Sequence, residues 1–175
     1  MKITITGQSG TGSSSVARLL ADKLRYHHVS AGDIFREMAS RLSMNLVEFE
    51  LYVKEHPEYD LGMDKKQRAL AEEHANFVLE SRLGWYLVKD TFKVLITCSD
   101  EARVKRVMEK EGITEDKAEQ HIVQREATFA ERCRELYGLE DLWNPNHFDL
   151  TIDSTEKSSE GIASEIREAI SKSEA

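Results

Sequence analysis

Residues 2–6, Lys2-Ile3-Thr4-Ile5-Thr6, alternate apolar and polar positions and are rich in β-branched side chains, which predicts a strand. Val16, Leu19, Leu20 and Leu24 then recur at three- and four-residue spacing, the apolar stripe of a helix. The same reading along the chain predicts short strands at 27–30, 77–79, 92–97 and near 148–152. It predicts helices at about 33–42, 46–55, 59–74, 100–111, 114–137 and 159–172. Strands that alternate with helices of this length predict a three-layer α/β fold around a parallel sheet of about five strands, joined by right-handed crossovers. No repeat, low-complexity tract or linker interrupts the pattern, so residues 1–175 are expected to form one unit.

Between the first strand and the first helix stands Gly7-Gln8-Ser9-Gly10-Thr11-Gly12-Ser13-Ser14-Ser15. Gly7 and Gly12 have the spacing of a Walker A phosphate loop, G-x-x-x-x-G-K-[ST], and Ser14 fills its hydroxyl position. Such a loop turns its backbone N–H groups towards one anion, and the following helix adds the positive end of its dipole. Ser13 stands where the loop lysine is expected. Two outcomes follow: arginines from elsewhere supply the missing charge, or the chain binds nucleotide without transferring phosphate. A dinucleotide fingerprint built on Gly10 and Gly12 is a rival reading, but Ser15 replaces its third small residue. A tight strand-to-helix turn that binds nothing is the plainest alternative.

Composition narrows the class. The formal net charge is −8, which argues against a general nucleic-acid binder and requires any phosphate-handling arginines to be concentrated locally. No apolar run approaches a membrane span, and Met1 leads straight into the strand without an apolar leader, so a cytoplasmic protein is expected. Cys98 and Cys133 lack C-x-x-C spacing and read as two reduced thiols, and the six histidines show no metal spacing.

The sequence resembles the archaeal-type cytidylate kinases, relatives of adenylate kinase. Besides the glycine loop, the blocks that carry the likeness are Val29-Ser30-Ala31-Gly32-Asp33-Ile34-Phe35-Arg36, Met44-Asn45-Leu46-Val47-Glu48-Phe49 and Asp64-Lys65-Lys66-Gln67. Val78-Leu79-Glu80-Ser81-Arg82-Leu83, Arg125-Glu126-Ala127, Glu135-Leu136-Tyr137-Gly138 and Phe148-Asp149-Leu150 follow in the family's order. The family tolerates threonine in place of the loop lysine. Arg82-Leu83-Gly84-Trp85 is one residue shorter than the usual block, Cys133 replaces a common tyrosine, and residues 142–147 differ from the isoleucine-rich family segment.

The resemblance implies a P-loop nucleoside monophosphate kinase, with acceptor-binding helices at about 31–74 and a helical lid at about 112–138. It implies ATP and Mg2+ as the donor pair and CMP or dCMP as acceptor; UMP, AMP or a non-nucleotide acceptor remain alternatives. No nucleic-acid or membrane partner is implied, and a monomer is expected. Arg36 is then expected to clamp the acceptor phosphate, with Ser30 and Gly32 lining its pocket. Arg82 follows an apolar strand at the edge where ligands sit in open α/β sheets, and is the second clamp candidate. Arg125 and Arg132 are seven apart, on one helix face, and the resemblance puts that helix in the lid, where both would act catalytically on the transferring phosphate. Ser14 is expected to contact Mg2+, with Glu80 nearby, acting through water. Cytosine offers an amine and a carbonyl, so Asp64 and Gln67 are the base-reading candidates. A solvated arginine, a capping hydroxyl or a solvated polar helix are the respective alternatives. Arg103 and Arg106, one turn apart, read as surface residues.

Overall fold

The structure, a computed structural model, describes residues 1–173, apart from the side chains of Leu46 and Val47. The strands are β1 (Lys2–Gly7), β2 (His27–Ser30), β3 (Phe77–Glu80), β4 (Phe92–Thr97) and β5 (Leu150–Asp153). They form one parallel sheet in the order β2-β3-β1-β4-β5. The helices are α1 (Ser13–Leu24), α2 (Ala31–Arg41), α3 (Leu46–Glu55), α4 (Pro57–Glu73), α5 (Gly84–Leu87), α6 (Asp100–Glu111), α7 (Glu115–Tyr137) and α8 (Ser159–Ser173). Residues 174 and 175 of the expected unit lie outside the described residues.

Both faces of the sheet are covered, as an all-parallel sheet requires. On one face Ile3, Ile5, Val78 and Val94 pack against Val16 and Leu20 of α1 and Ile162 and Ile166 of α8. On the other, Phe77 and Leu79 meet Leu83 and Leu87 around α5 and Phe129 and Cys133 of α7. β3, read from its sequence as a short apolar run, alternates between these two cores because successive strand side chains point to opposite faces.

Two groups of helices stand between the strands. After β2, α2 starts where Ser30 Oγ accepts from the Asp33 N–H at 3.3 Å. A capping box opens α3: Glu48 N–H donates to Asn45 Oδ1 at 3.0 Å, and Asn45 N–H to Glu48 Oε2 at 2.8 Å. Pro57 sits in the first turn of α4, where its missing N–H is harmless. Phe49 and Val53, with Phe35, Tyr52 and Tyr59, form a small core that binds α2, α3 and α4 together. After β4, Val107, Ala118 and Ile122 join α6 to α7 in the same way.

The last strand begins later than the sequence predicts. A 3-10 turn at Pro145–His147 precedes it, and Phe148 packs beside Trp85 at 5.7 Å between ring centroids. The four-residue α5 was not foreseen, since one turn is too short to show a helical period. Among the described residues no helix is long and apolar enough to cross a membrane.

Candidate active site

The glycine loop closes on itself: the N–H and the hydroxyl of Thr11 both donate to the Gln8 carbonyl, at 3.2 and 2.9 Å. Gly10 and Gly12 have φ of +85° and +83°, the left-handed region that favours glycine. A Cβ on Gly10 would lie 2.6 Å from the Arg103 carbonyl oxygen, so space as well as φ excludes a side chain there. Gly12 precedes α1, and no side chain caps the helix's first N–H groups. Ser15 N–H donates to the Gly12 carbonyl at 3.1 Å, and the remaining first-turn donors and the dipole end stand beside the loop, an arrangement suited to an anion. Ser13 is buried, and Ser14 and Ser15 are exposed at the helix start.

Arg103 and Arg106 are not surface residues. Arg103 is 4% exposed; its Nε donates to the Ser9 carbonyl at 2.8 Å, its Nη1 to Asp100 at 2.9 Å and its Nη2 to Glu126. Glu126, on α7, also accepts from Gln8 Nε2 at 2.9 Å. Arg106 Nη2 donates to the Ser154 carbonyl at 2.7 Å and Nη1 to Ser154 Oγ at 3.1 Å, and Ser154 Oγ donates to the Thr11 carbonyl at 2.8 Å. Two arginines of α6 thus brace the glycine loop from outside, Arg103 through the Ser9 carbonyl and the carboxylates of Asp100 and Glu126, Arg106 through Ser154.

Ser30, Gly32, Arg36 and Glu80 lie together at the ends of β2 and β3. Ser30 and Glu80 are register partners, and Ser30 Oγ donates to Glu80 Oε2 at 3.0 Å. The Arg36 guanidinium lies 3.5 Å from where a Gly32 Cβ would be, and pairs with Asp33 at 2.5 Å. Both members of that pair are more than half exposed, so the pair is weak and Arg36 is free to exchange partners.

Arg82 has no carboxylate partner. Its guanidinium lies 4.3 Å from the Phe129 ring centroid, and its Nη1 is buried without a hydrogen bond. Burial pushes its pKa below the ordinary arginine value, the charges of Arg132 and Arg125 add to that, and Glu80 opposes them. The arginines expected at the β3 edge and on α7 are thus near enough for their charges to interact.

Their partners differ. Arg125 pairs with Glu111 at 2.9 Å, and Glu111 also meets His121 Nδ1 at 2.9 Å. Burial lifts Glu111, but the His121 hydrogen bond and the charge of Arg125 outweigh it and hold the carboxyl below its usual range. Arg132 reaches across to α4: Nη2 donates to Asp64 Oδ2 at 2.7 Å, and Nε lies 2.9 Å from Asp60 Oδ2 without an aligned hydrogen bond. Burial works against the Arg132 charge, yet Asp64 and Asp60 together hold its pKa above the ordinary value. Asp60 shares that one cation with Asp64, so burial wins there and lifts its carboxyl above the usual range. Asp64, 3% exposed, also accepts from the Tyr137 hydroxyl and, at 3.4 Å, from Gln67 Nε2. Asp64 and Gln67 are thus the buried face of α4, not a solvated one.

A sequence model of the cytidylate kinase-like family matches residues 2–156. The chain is 38% identical to the cytidylate kinase of Methanocaldococcus jannaschii over 97% of each chain. The chain belongs to the cytidylate kinase-like family. It is likewise 35% identical to the cytidylate kinase of Methanothermobacter thermautotrophicus, over 88% of this chain and 95% of that one. Of solved structures, an uncharacterized protein from Eubacterium ventriosum superposes with a TM-score of 0.73 at 19% identity, over 98% of each chain. Shikimate kinase from Aquifex aeolicus superposes with a TM-score of 0.61 at 17% identity, over 99% of this chain and 98% of that one. At those identities the two structures show a shared fold alone.

Sequence reasoning did not single out Asp60, Glu126, Phe129 and Tyr137, which contact the candidate residues or, for Glu126, the glycine loop. Asp60 carried a signal: it stands four residues before Asp64, on the same helix face. Phe129, among many apolar residues of a long helix, carried none.

Proposed function

We propose that the protein transfers the γ-phosphate of ATP to CMP or dCMP, giving ADP and the pyrimidine nucleoside diphosphate. One observation carries this reading: a buried, unpartnered arginine donor at the end of β3, beside a glycine loop and bare helix N-terminus at the end of β1. β1 and β3 are neighbouring strands, about 4.8 Å apart, so the two candidate anion sites stand at adjacent strand ends. A donor polyphosphate fits the loop, and an acceptor phosphate fits Arg82 with Arg36.

A nucleoside monophosphate presents an ionised oxygen as its nucleophile, so no strong general base is needed. Positioning and charge neutralisation are the task. Residues 31–74 act as the acceptor segment and 112–138 as the lid. Arg125 and Arg132 supply the charge that Ser13 lacks, which requires Arg132 to leave Asp60 and Asp64 as the lid closes. The exposed Ser14 hydroxyl, beside an uncapped helix start, fits Mg2+, with Glu80 held by Ser30 to act through water. Bound there, Mg2+ would neutralise charge on the donor phosphates. Asp64 and Gln67 read the base.

A coupled ADP-release assay over CMP, dCMP, UMP, AMP and shikimate tests the reading. CMP or dCMP is expected to be the best acceptor. Faster turnover of another acceptor would overturn the substrate assignment, and no stimulation by any would overturn the transferase itself.

A further inference from the structure

Donors crowd one oxygen of Asp64. Arg132 Nη2 and the Tyr137 hydroxyl, both from the C-terminal part of α7, meet at Oδ2. The other oxygen faces the Gln67 amide nitrogen at 3.4 Å. The reverse amide orientation would set two acceptor oxygens against each other, so the carboxylate fixes which end of Gln67 points away. That end, Oε1, is sealed from solvent and has no partner, although Gln67 is 1% exposed. A buried carbonyl without a donor is rare in a folded protein and calls for one from a ligand.

We propose that Tyr137 is a positioning residue for acceptor recognition: by holding Asp64 it orients Gln67, whose Oε1 accepts a hydrogen bond from the exocyclic amine of cytosine. The role rests on the acceptor-segment reading above. Uracil carries a carbonyl where cytosine carries its amine, so the oriented amide opposes it acceptor to acceptor. Burial and the hydrogen bond to Asp64 hold the Tyr137 hydroxyl far above its ordinary pKa, so it stays a donor at any working pH. Its ring packs against Tyr86 at 5.3 Å, a contact that phenylalanine keeps. Tyr137→Phe therefore removes the hydroxyl's share of the hold on Asp64, leaves the ring in place and leaves Arg132 as the other donor.

The test compares kcat/KM for CMP and UMP in the wild type, Tyr137→Phe and Gln67→Met. In Tyr137→Phe the CMP-over-UMP ratio is expected to fall about tenfold, the order of one hydrogen bond to a charged group. The fall comes through KM for CMP, with KM for ATP unchanged. Gln67→Met, which removes the acceptor, loses the preference by the same route. A purely structural role would slow both acceptors equally and lower the melting temperature, and an unchanged ratio in either variant overturns the proposal. A wild type that prefers CMP, with Tyr137→Phe unchanged, overturns this role alone. A wild type without that preference overturns the acceptor assignment and this role with it.

Discussion

Replacing Arg82 with methionine should make the ligand-free protein more stable and the enzyme worse. Part of the side chain reaches the surface, but Nη1 is sealed and unpaired. An unsatisfied buried donor costs about 1–3 kcal/mol. The guanidinium stack on Phe129 returns roughly 0.5–2 kcal/mol, and methionine keeps much of that contact through its own sulfur–aromatic packing. Relief of repulsion from Arg125 and Arg132 adds to the gain. The net is a stabilisation on the order of 1 kcal/mol, or about 2–4 °C in Tm for a chain of this size. Loss of the phosphate contact should lower kcat/KM for CMP roughly ten- to a hundredfold. Thermal melts with and without CMP read both effects. CMP at a hundred times its Kd adds about 2.7 kcal/mol to the wild type and far less to the variant, so the order of melting temperatures should invert on adding ligand. A variant that melts lower without ligand, or that responds to CMP as the wild type does, would refute the reasoning.

Two further changes probe the contacts of Arg132. The carboxyl of Asp60 is raised by burial, so its contribution favours the fold below the ordinary aspartate value and is lost as pH rises through the folded value. Asp60→Asn lacks that titration, and denaturant melts from acid to neutral pH should show it gaining on the wild type; a pH-independent difference would mean that Arg132 fully offsets the burial. Ser13→Lys should partly rescue turnover in Arg132→Ala, since both groups address the transferring phosphate, and strictly additive effects in that double-mutant cycle would place the replacement charge elsewhere.

Much of the fold could be read from short-range patterns. The β2 and α3 limits, 27–30 and 46–55, coincide with the elements found, and for α3 the Asn45–Glu48 box fixes the start locally. The glycine loop was legible for the same reason. The site's inner wiring was not, because it depends on side chains far apart in sequence. Arg103 and Glu126 are 23 residues apart and Arg132 and Asp64 are 68 apart. No periodicity marks an exposed-looking arginine as a brace for a distant carbonyl, which is why Arg103 and Arg106 read as surface. Phe148 failed for a similar reason: an apolar residue before a strand is claimed by Trp85 rather than by the sheet.

The first of the five strands in chain order lies in the middle of the sheet. β1 cannot pair until β3 and β4 exist, and Thr6 waits 75 residues for the Ser81 carbonyl to which it donates. Contacts of such separation fold slowly, since each closes a long loop before any gain is returned. Until residue 80 is made both edges of β1 lack a partner, and one edge stays open until β4 ends at residue 97, an unpaired strand of the kind that favours aggregation. The glycine loop, which leaves the end of β1, is therefore fixed in place only after the central sheet has closed.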